Sequence, residues 1–305
     1  MSNVQIANEA GITAAVAALR RGQLIGLPTE TVYGLAADIT HDAALSEIFR
    51  VKGRPSNHPL IVHIADIAQL ADLASYVSPA CRALVDHCWP GPLTVVVPAA
   101  PHVSRVATGG LDTVAVRLPS SRAAQEVIAR LGNAVAAPSA NRFGHVSPTT
   151  AQHVAHDLGD DVAIVLDDGP CELGVESTIV DCTKEQPEIL RPGSITPEAV
   201  RRILAAAKIE LASGVSGPSR ASGMLARHYA PLATLVLHEQ QAIVPQDGSP
   251  VVDCATDPIT AAHDLYANLR HLDALGHRVV HVIMPRAEGV GFALRDRLKK
   301  AATAL

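Results

Sequence analysis

Long apolar runs are missing from this chain of 305 residues. A membrane-spanning helix needs about 18 or more consecutive apolar residues, and no stretch of the sequence reaches that length. The opening segment, MSNVQIANEAGITAAVAALR, contains acidic residues and no compact apolar core, so we predict that no signal peptide is present. The sequence therefore predicts a cytoplasmic protein without a membrane span.

Cysteine is also scarce, with five residues in the whole chain. Their number is odd, they are widely spaced, and no pair forms a CxxC motif. This pattern favours reduced, buried thiols over a disulfide framework or a zinc site, so we expect no resident metal site. The five are Cys81, Cys88, Cys171, Cys182 and Cys254.

Aromatic residues make up only 3% of the chain, and the formal net charge is −5. A protein that coats DNA or RNA needs a concentrated basic face, so we expect no strong nucleic-acid binding. A small basic cleft for a phosphate-bearing ligand is still compatible with this charge balance. Apolar residues make up 48% of the chain, which is enough for a large core.

Segments with strand and helix patterns alternate along the chain. Helical spacing recurs at Ile12, Val16 and Leu19, whereas short β-branched runs such as PLIVHI and LTVVVP are typical of buried strands. Since no internal repeat is present, this alternation predicts an α/β or α+β layered fold with a mixed, twisted sheet. Further strands are predicted at QLIGL, TVAVRLP, NAVAAPSAN, AIVLDDG, STIVDC and EILRPG, and further helices after Asp42 as N-cap, from Ser78, at SRAAQEVIARLG and at PEAVRRILAAA.

Composition changes between residues 212 and 231, where ASGVSGPSRASGMLARHYAP is rich in glycine, serine and proline. Such a segment is typical of a linker or of an ordered functional loop. Beyond it follow two strand patterns, a long amphipathic helix from Ile259 to Leu272, a third strand and a final helix. We therefore predict a small second α/β domain over residues 232–305.

Cations gather where a predicted helix gives way to the strand PLIVHI. Lys52 and Arg54 come first, and His58 and His63 follow. Cations suit the negative end of a helix dipole, so a solvated helix end is one interpretation. Two cations in a proline-bracketed turn favour anion binding instead, most simply of a polyphosphate. The preceding strand also ends in a hydroxyl-rich turn, LPTETVYGL at residues 27–35, which structure alone does not require.

Two arginines lie inside otherwise apolar strands, Arg117 in VAVRLP and Arg191 in ILRPG. An unpaired buried charge is costly, so each arginine must either form a salt bridge or bind an anionic ligand. The residues alone leave both alternatives open.

Two more polar loops follow apolar runs. PSANRFGHVSPT offers Ser139, Asn141 and Ser147, although Ser147 or Thr149 also suits a helix N-cap, and GVEST opens another strand. The sequence has no Walker lysine loop, GxGxxG fingerprint, Ser-His-Asp elbow or HExxH motif, and no side chain stands out as a covalent nucleophile. Together the loops indicate an enzyme that binds and positions a nucleotide and a small polar substrate.

Seven motifs occur in a fixed order: LPTETVYGL, KGRPSNHPLIVHI, WPGPLT, VAVRLP, PSANRFGHVSPT, GVESTIVD and LRPG. In this order they resemble the YrdC-like family of L-threonylcarbamoyladenylate synthases, over about residues 9–200. GMLARHYAP followed by a small α/β domain resembles the long two-domain form of that family, with a shortened, Rossmann-like C-terminal domain. His58 departs from the family pattern, which often has asparagine before PL.

The resemblance implies a YrdC-like catalytic domain over residues 9–200 and a particular reaction. L-threonine, bicarbonate and ATP, with Mg2+, give threonylcarbamoyl-AMP, pyrophosphate and water; CO2 in place of bicarbonate gives the same two products without water. The product then feeds partner proteins that transfer the threonylcarbamoyl group to tRNA. Neither chemical step needs a protein nucleophile, but both need close positioning and cations on the phosphates.

The resemblance also implies roles for individual residues, with Arg117 clamping the threonine carboxylate and residues 212–231 acting as a lid over the nucleotide. The threonine site is expected to comprise Thr31, His63, Arg117, Ser177 and the backbone of Ala137. The ATP site is expected to comprise Lys52, Arg54, His58, Thr113, Ser139, Ser147, Arg191 and Tyr229. Tyr33, Asn141 and His228 are expected to support these residues.

Three alternatives come from other functional classes. An RNA-binding module would bind tRNA in a salt-dependent manner without ATP. A carbamoyl-transfer enzyme with another acceptor would be expected in a larger chain with acylphosphatase and zinc-finger modules. A regulatory protein would bind its ligands without turnover, so an ATP–pyrophosphate assay separates all of these from a synthase.

Overall fold

The structure, a computed structural model, describes residues 3–213, 228–242, 244–245 and 247–303. Strands and helices alternate over these residues, and two separate sheets form. The larger sheet is built from residues before the predicted linker and the smaller sheet from residues after it. The predicted layered α/β class with a mixed sheet is therefore confirmed.

Ten strands form one mixed sheet within residues 3–213. They are β1 Val4–Ile6, β2 Ile25–Leu27, β3 Gly34–Asp38, β4 Ile61–His63, β5 Leu93–Pro98, β6 Thr113–Arg117, β7 Val135–Ala136, β8 Ile164–Asp167, β9 Thr178–Asp181 and β10 Glu188–Arg191. Their order across the sheet is β1-β8-β2-β3-β7-β4-β6-β5-β9-β10.

The register of three central strands places polar residues side by side. β4 runs parallel to β6 with His63 opposite Arg117, and β5 runs antiparallel to β6 with Thr94 opposite Arg117. Because directly opposed residues in neighbouring strands share a face, this register sets the three polar side chains in one row.

Helices cover the larger sheet, and their apolar sides are buried. In the first of them, Ile12, Val16 and Leu19 pack into a core cluster that also includes Val127 and Ile128. The helices of residues 3–213 are α1 Glu9–Arg20, α2 Asp42–Lys52, α3 Gln69–Leu73, α4 Pro79–Cys88, α5 Arg122–Leu131, α6 Ala151–Leu158 and α7 Pro197–Ala206, with a 3-10 turn at Gly159–Asp161.

Two helix caps differ from the sequence prediction. Asp42 is the first residue of α2 rather than its N-cap, and its carboxylate accepts a hydrogen bond from Ser104 instead. α6 is capped by Thr150, whose hydroxyl accepts from the backbone N–H of His153. Asp42, which the local sequence pattern assigns to a cap, therefore bonds to a residue distant in sequence instead.

A second, three-stranded parallel sheet forms after the predicted linker, in the order β11-β13-β12. Its core cluster also includes Val32, Val146 and Val175 from loops of the first domain, so the second domain packs on the loops that carry the polar motifs. The strands and helices are β11 Thr234–His238, β12 Val251–Asp253, α8 Pro258–Ala274, β13 Val279–Ile283 and α9 Gly291–Ala302.

Most of the predicted lid, residues 214–227, lies outside the described residues. The domain limits at residues 200, 212 and 232 stay predictions. Among the described residues, none of the helices combines the length and the apolar character that crossing a membrane requires.

Candidate active site

Polar side chains between residues 29 and 229 surround a cavity of about 40 Å³. Three arginines and one glutamate stand in its wall, so positive charge is in excess, which suits an anionic ligand. A volume of this size holds no more than a few water molecules. The cavity is lined by Thr29, Thr31, Val32, Gly34, Arg54, Ile61, His63, Arg117, Ala137, Pro138, Ser139, Glu176, Ser177, Arg191, His228 and Tyr229.

Arg117, at the end of β6, is held by three groups of the first domain. Its Nη2 lies 2.8 Å from Oε1 of Glu30, its Nη1 donates to Oγ1 of Thr31 over 2.7 Å, and its Nε donates to the carbonyl of Gly91 over 3.4 Å. Burial alone would raise the pKa of Glu30, but the charge of Arg117 and the hydrogen bonds to the carboxylate together outweigh burial and lower that pKa. Arg117 thus forms the salt bridge that the sequence left open, and it also lines the cavity.

His63 stands beside Arg117 on the neighbouring strand and is buried. Its Nδ1 lies 3.2 Å from the carbonyl oxygen of Ile61. Burial and the charge of Arg117 lower the pKa of His63 to about 3, so the imidazole is neutral near pH 7. A neutral ring can exchange hydrogen bonds with a small polar substrate without adding charge.

Arg191 and Ser177 form the opposite part of the wall. Nε and Nη2 of Arg191 donate to the carbonyl of Ser177 over 3.1 and 2.9 Å, and the Ser177 hydroxyl lies 2.7 Å from that of Thr94. The turn after Arg191 requires glycine, because a Cβ on Gly193 would lie 2.4 Å from the carbonyl oxygen of Glu176. This close approach holds the turn after Arg191 against the backbone from Glu176 to Thr178, directly before and at the start of β9.

Arg54 lines the cavity, whereas Lys52 lies behind its wall. Nη2 of Arg54 donates to the Pro59 carbonyl over 2.8 Å, and burial lowers the pKa of Arg54 to about 10, which leaves it charged at neutral pH. Nζ of Lys52 donates to the carbonyls of Ser139 and Asn141, both over 2.6 Å. Burial and the neighbouring Arg54 hold the pKa of Lys52 well below its usual value.

Several other predicted residues do not line the cavity. Thr113 begins β6, about 13 Å along the strand from Arg117. The Tyr33 hydroxyl donates to the carbonyl of Gly169 over 2.7 Å, within the core. The predicted residues outside the wall are Lys52, His58, Thr113, Ser147, Tyr33 and Asn141. Those in the wall are Thr31, His63, Arg117, Ala137, Ser177, Arg54, Ser139, Arg191, Tyr229 and His228.

Sequence reasoning misses Glu176, a buried carboxylate in the cavity wall. It accepts hydrogen bonds from the Ser147 hydroxyl over 2.6 Å, the Tyr266 hydroxyl over 2.9 Å and Nε of Arg297 over 2.8 Å. Burial alone would raise its pKa, but the charges of Arg297 and Arg191 outweigh burial and lower the pKa to about 2. The acid in GVEST is the available signal, but two of its three hydrogen-bond partners, Tyr266 and Arg297, lie in the second domain.

Tyr229 and His228 are the described end of the predicted lid, and both line the cavity. Tyr229 is 1% exposed and adopts a left-handed backbone conformation, with φ of 63°. Within the described part of the chain, its hydroxyl and Nδ1 of His228 are buried without a hydrogen-bond partner. Such groups are costly unless a ligand or water completes them, so they are candidate ligand contacts.

Comparisons with known proteins agree with this architecture. Residues 17–193 match the Sua5–YciO–YrdC family, described as "Telomere recombination". Residues 195–303 match a family described as "Threonylcarbamoyl-AMP synthase, C-terminal domain".

The chain is 38% identical to the threonylcarbamoyl-AMP synthase of Pyrococcus abyssi (strain GE5 / Orsay), over 93% of this chain and 91% of the relative. It is 43% identical to the threonylcarbamoyl-AMP synthase of Bacillus subtilis (strain 168), over 76% of this chain and 68% of the relative. The fold matches P. abyssi Sua5 complexed with L-threonine with a TM-score of 0.88, at 35% identity, over 98% of this chain and 96% of that one. Since the two family matches together span both sheets, the chain belongs to the Sua5–YciO–YrdC family, in the two-domain form with a threonylcarbamoyl-AMP synthase C-terminal domain.

Proposed function

We propose that the protein is an L-threonylcarbamoyladenylate synthase, a nucleotidyltransferase that uses L-threonine, bicarbonate or CO2, and ATP. The observation that carries this proposal is the cavity, which is lined by every residue expected to bind threonine together with two arginines for phosphates, Arg54 and Arg191. A family member solved with L-threonine supports the same ligand class.

The proposed reaction has two steps. The neutral amine of threonine takes up CO2, losing a proton, to form a carbamate. A carbamate oxygen then bonds to the α-phosphorus of ATP, and the bond to pyrophosphate breaks as pyrophosphate leaves with its electron pair. Neither step forms a bond to the protein, so the residues act by positioning and by stabilising charge.

Arg117 is proposed to hold the threonine carboxylate even though it pairs with Glu30. A guanidinium has five N–H groups, and the contacts with Glu30, Thr31 and Gly91 use three of them. The other two suffice for a carboxylate. The ion pair thus fixes the orientation of the group that receives the substrate.

Magnesium is proposed to enter as part of the ATP complex. Among the described residues no group of three or more His, Cys, Asp or Glu side chains is arranged to hold a metal ion. The acids nearest the cavity, Glu30 and Glu176, already pair with arginines. These side chains do not suit a resident site, whereas Mg2+ commonly keeps several waters and binds through substrate phosphates.

Threonylcarbamoyl-AMP is a mixed anhydride and therefore an activated donor of the threonylcarbamoyl group. We propose that partner proteins in the cytoplasm consume it to modify tRNA. This chain is proposed to make the donor without binding tRNA strongly, because its net charge is −5.

The test is pyrophosphate release by the purified protein, with the adduct identified by mass. Release should require both L-threonine and bicarbonate. L-serine lacks one methyl group, so its kcat/KM should be about 10–200-fold lower. Equal release without any amino acid would refute the synthase, and salt-dependent tRNA binding without turnover would favour the RNA-binding alternative.

A further inference from the structure

Arg297, on helix α9 of the second domain, reaches the wall of the first domain's cavity. Its Nε donates to Oε2 of Glu176 over 2.8 Å, and its Nη1 lies 2.6 Å from Oδ2 of Asp296. Its guanidinium carbon lies 5.1 Å from the centre of the Tyr229 ring. The side chain is fully buried, so one cation contacts both an acid and an aromatic ring that line the cavity.

Tyr266, on helix α8, contacts the same two residues. Its hydroxyl donates to Oε2 of Glu176 over 2.9 Å, and its ring stacks on Tyr229 with 5.9 Å between ring centres. Arg297 and Tyr266 therefore each bridge Glu176 and Tyr229. Neither residue is part of the cavity wall, so both can act only through those two neighbours.

The backbone of Tyr229 depends on this packing. A tyrosine rarely adopts a φ of 63° unless its surroundings impose that conformation. The backbone N–H of His228 donates to the carbonyl of Lys300 on α9 over 3.3 Å, and that of Ala230 donates to the carbonyl of Gly144 over 2.8 Å. The segment is thus held between the two domains, and its aromatic side chain is held by the second.

We propose that Arg297 is a positioning residue of the synthase site: it holds Tyr229 at the cavity wall and balances the negative charge of Glu176. The second domain thereby completes the site of the first. This inference rests on the proposed function. Without Arg297, Glu176 would lose one of the two arginines that balance its charge, so more of its negative charge would act on the ATP phosphates. A loosened Tyr229 would also admit water to a labile anhydride.

Arg297→Gln tests both roles in the full-length protein. The KM for ATP should rise at least about tenfold, because charge repulsion acts on the phosphates. The ratio of intact threonylcarbamoyl-AMP to pyrophosphate should fall at least about twofold, because water reaches the product. The double variant Arg297→Gln/Glu176→Gln removes both charges, so it should recover most of the ATP affinity while the low product ratio persists.

The matched control is Asp157→Asn, which breaks another contact between the domains. Arg270 on α8 pairs with Asp157 on α6 over 2.5 Å, and neither residue lines the cavity. If the interface matters only for stability, both variants should behave alike. We expect Asp157→Asn to keep the wild-type KM for ATP and the wild-type product ratio.

An Arg297→Gln protein with reduced kcat but unchanged KM values and product ratio would overturn the proposal. If that variant does not fold, Arg297→Lys decides, because it keeps a positive charge near Glu176 but loses the planar guanidinium that lies over the Tyr229 ring. A product ratio equal to that of the wild type in Arg297→Lys would then refute the positioning role. Failure of the wild-type protein to release pyrophosphate would instead refute the proposed function, and calorimetric titration of a non-hydrolysable ATP analogue would still test charge balance.

Discussion

Two buried arginine–glutamate pairs meet the same cavity, but they present opposite charges to it. The Arg117–Glu30 pair forms within the first domain, and its arginine lines the cavity. The Arg297–Glu176 pair crosses between domains, and its glutamate lines the cavity. The first pair offers a cation to a ligand directly, whereas the second must neutralise an anion that would otherwise repel phosphate.

Each cavity-facing member also has a hydroxyl partner. Thr31 accepts a hydrogen bond from Arg117, and Ser147 donates one to Glu176. A hydroxyl can do either, so similar side chains serve opposite charges. The effect of a buried ion pair on ligand binding therefore depends on which of its two members faces the ligand.

The largest expected effect comes from breaking the first pair. Arg117→Ala leaves Glu30 buried and unpaired, so the free energy of unfolding should fall by about 3–5 kcal/mol, as measured by denaturant titration. The double variant Arg117→Met/Glu30→Leu removes both charges and should recover most of that stability. Its threonine requirement should stay impaired, and a wild-type KM for threonine in the double variant would contradict the ligand role of Arg117.

A smaller effect is expected where the second domain packs on the GVEST loop. Gly174 has a φ of 68°, and a Cβ there would lie 2.1 Å from the carbonyl oxygen of His263 on α8. Gly174→Ala should therefore cost at least about 2 kcal/mol of unfolding free energy and raise the KM for ATP, because it pushes α8, which carries Tyr266, away from Glu176.

The control for that substitution is Gly132→Ala. Gly132 has a φ of 84°, but a Cβ there meets nothing within 4 Å. It should show only the conformational cost, about 1–2 kcal/mol, and no change in KM. Equal KM values for ATP in the two variants would count against coupling between α8 and the site.

One buried histidine lies beside each pair, and at pH 5 each of them should lower the free energy of unfolding by about 2 kcal/mol relative to neutral pH. Burial lowers the pKa of His63, beside the first pair, and of His228, beside the second, to about 3 from an unfolded value near 6.5. The unfolded chain then takes up protons below pH 6.5 while the folded chain does not. The stabilisation is therefore full above pH 6.5 and is lost as pH falls towards 3.

Denaturant titrations between pH 7.5 and 5 check this expectation. His63→Asn and His228→Asn should each flatten the pH dependence of the unfolding free energy by about one histidine's share, about 2 kcal/mol. Variants that keep the full wild-type slope would show that neither histidine stays neutral in the folded protein.

The smallest effect should come from removing the Ser147 hydroxyl, which donates a hydrogen bond to Glu176. Ser147→Ala removes one hydrogen bond to an ionised group that keeps its arginine, so the loss should be about 1–2 kcal/mol of unfolding free energy. If Ser147 only supports Glu176, the KM for ATP should change less than in Arg297→Gln. A larger rise than in Arg297→Gln would instead support Ser147 as a direct ATP contact.

The first pair could be anticipated from sequence, whereas the second could not. Arg117 interrupts an apolar strand, so a buried partner or ligand was required. In α9, Arg297 lies three residues after Leu294 and four before Ala301, so helical spacing places it on the buried side of the helix. Arg295 lies off that side and pairs with the exposed Glu239. The spacing does not identify Glu176 as the partner of Arg297, because only the packing of α9 on the first domain brings the two together.

Other departures have similar causes. Strand β3, with the sequence GLAAD, lacks the β-branched residues that predict strands, and it forms by pairing with β2 and β7. Tyr33 belongs to the polar motif LPTETVYGL, yet its side chain turns into the core beneath α2. Sequence pattern located the polar loops well, but it could not tell which side chains within each loop face the cavity.

Arg297 follows Glu176 by 121 positions in the chain, so the two are also separated in time during protein synthesis. At about 5–20 residues per second, a ribosome makes Glu176 about 6–24 s before Arg297. During that interval both members of the Arg117–Glu30 pair are already present in the nascent chain. Glu176 still lacks its arginine from α9, so the growing chain has a nearly finished first domain before it has a complete site.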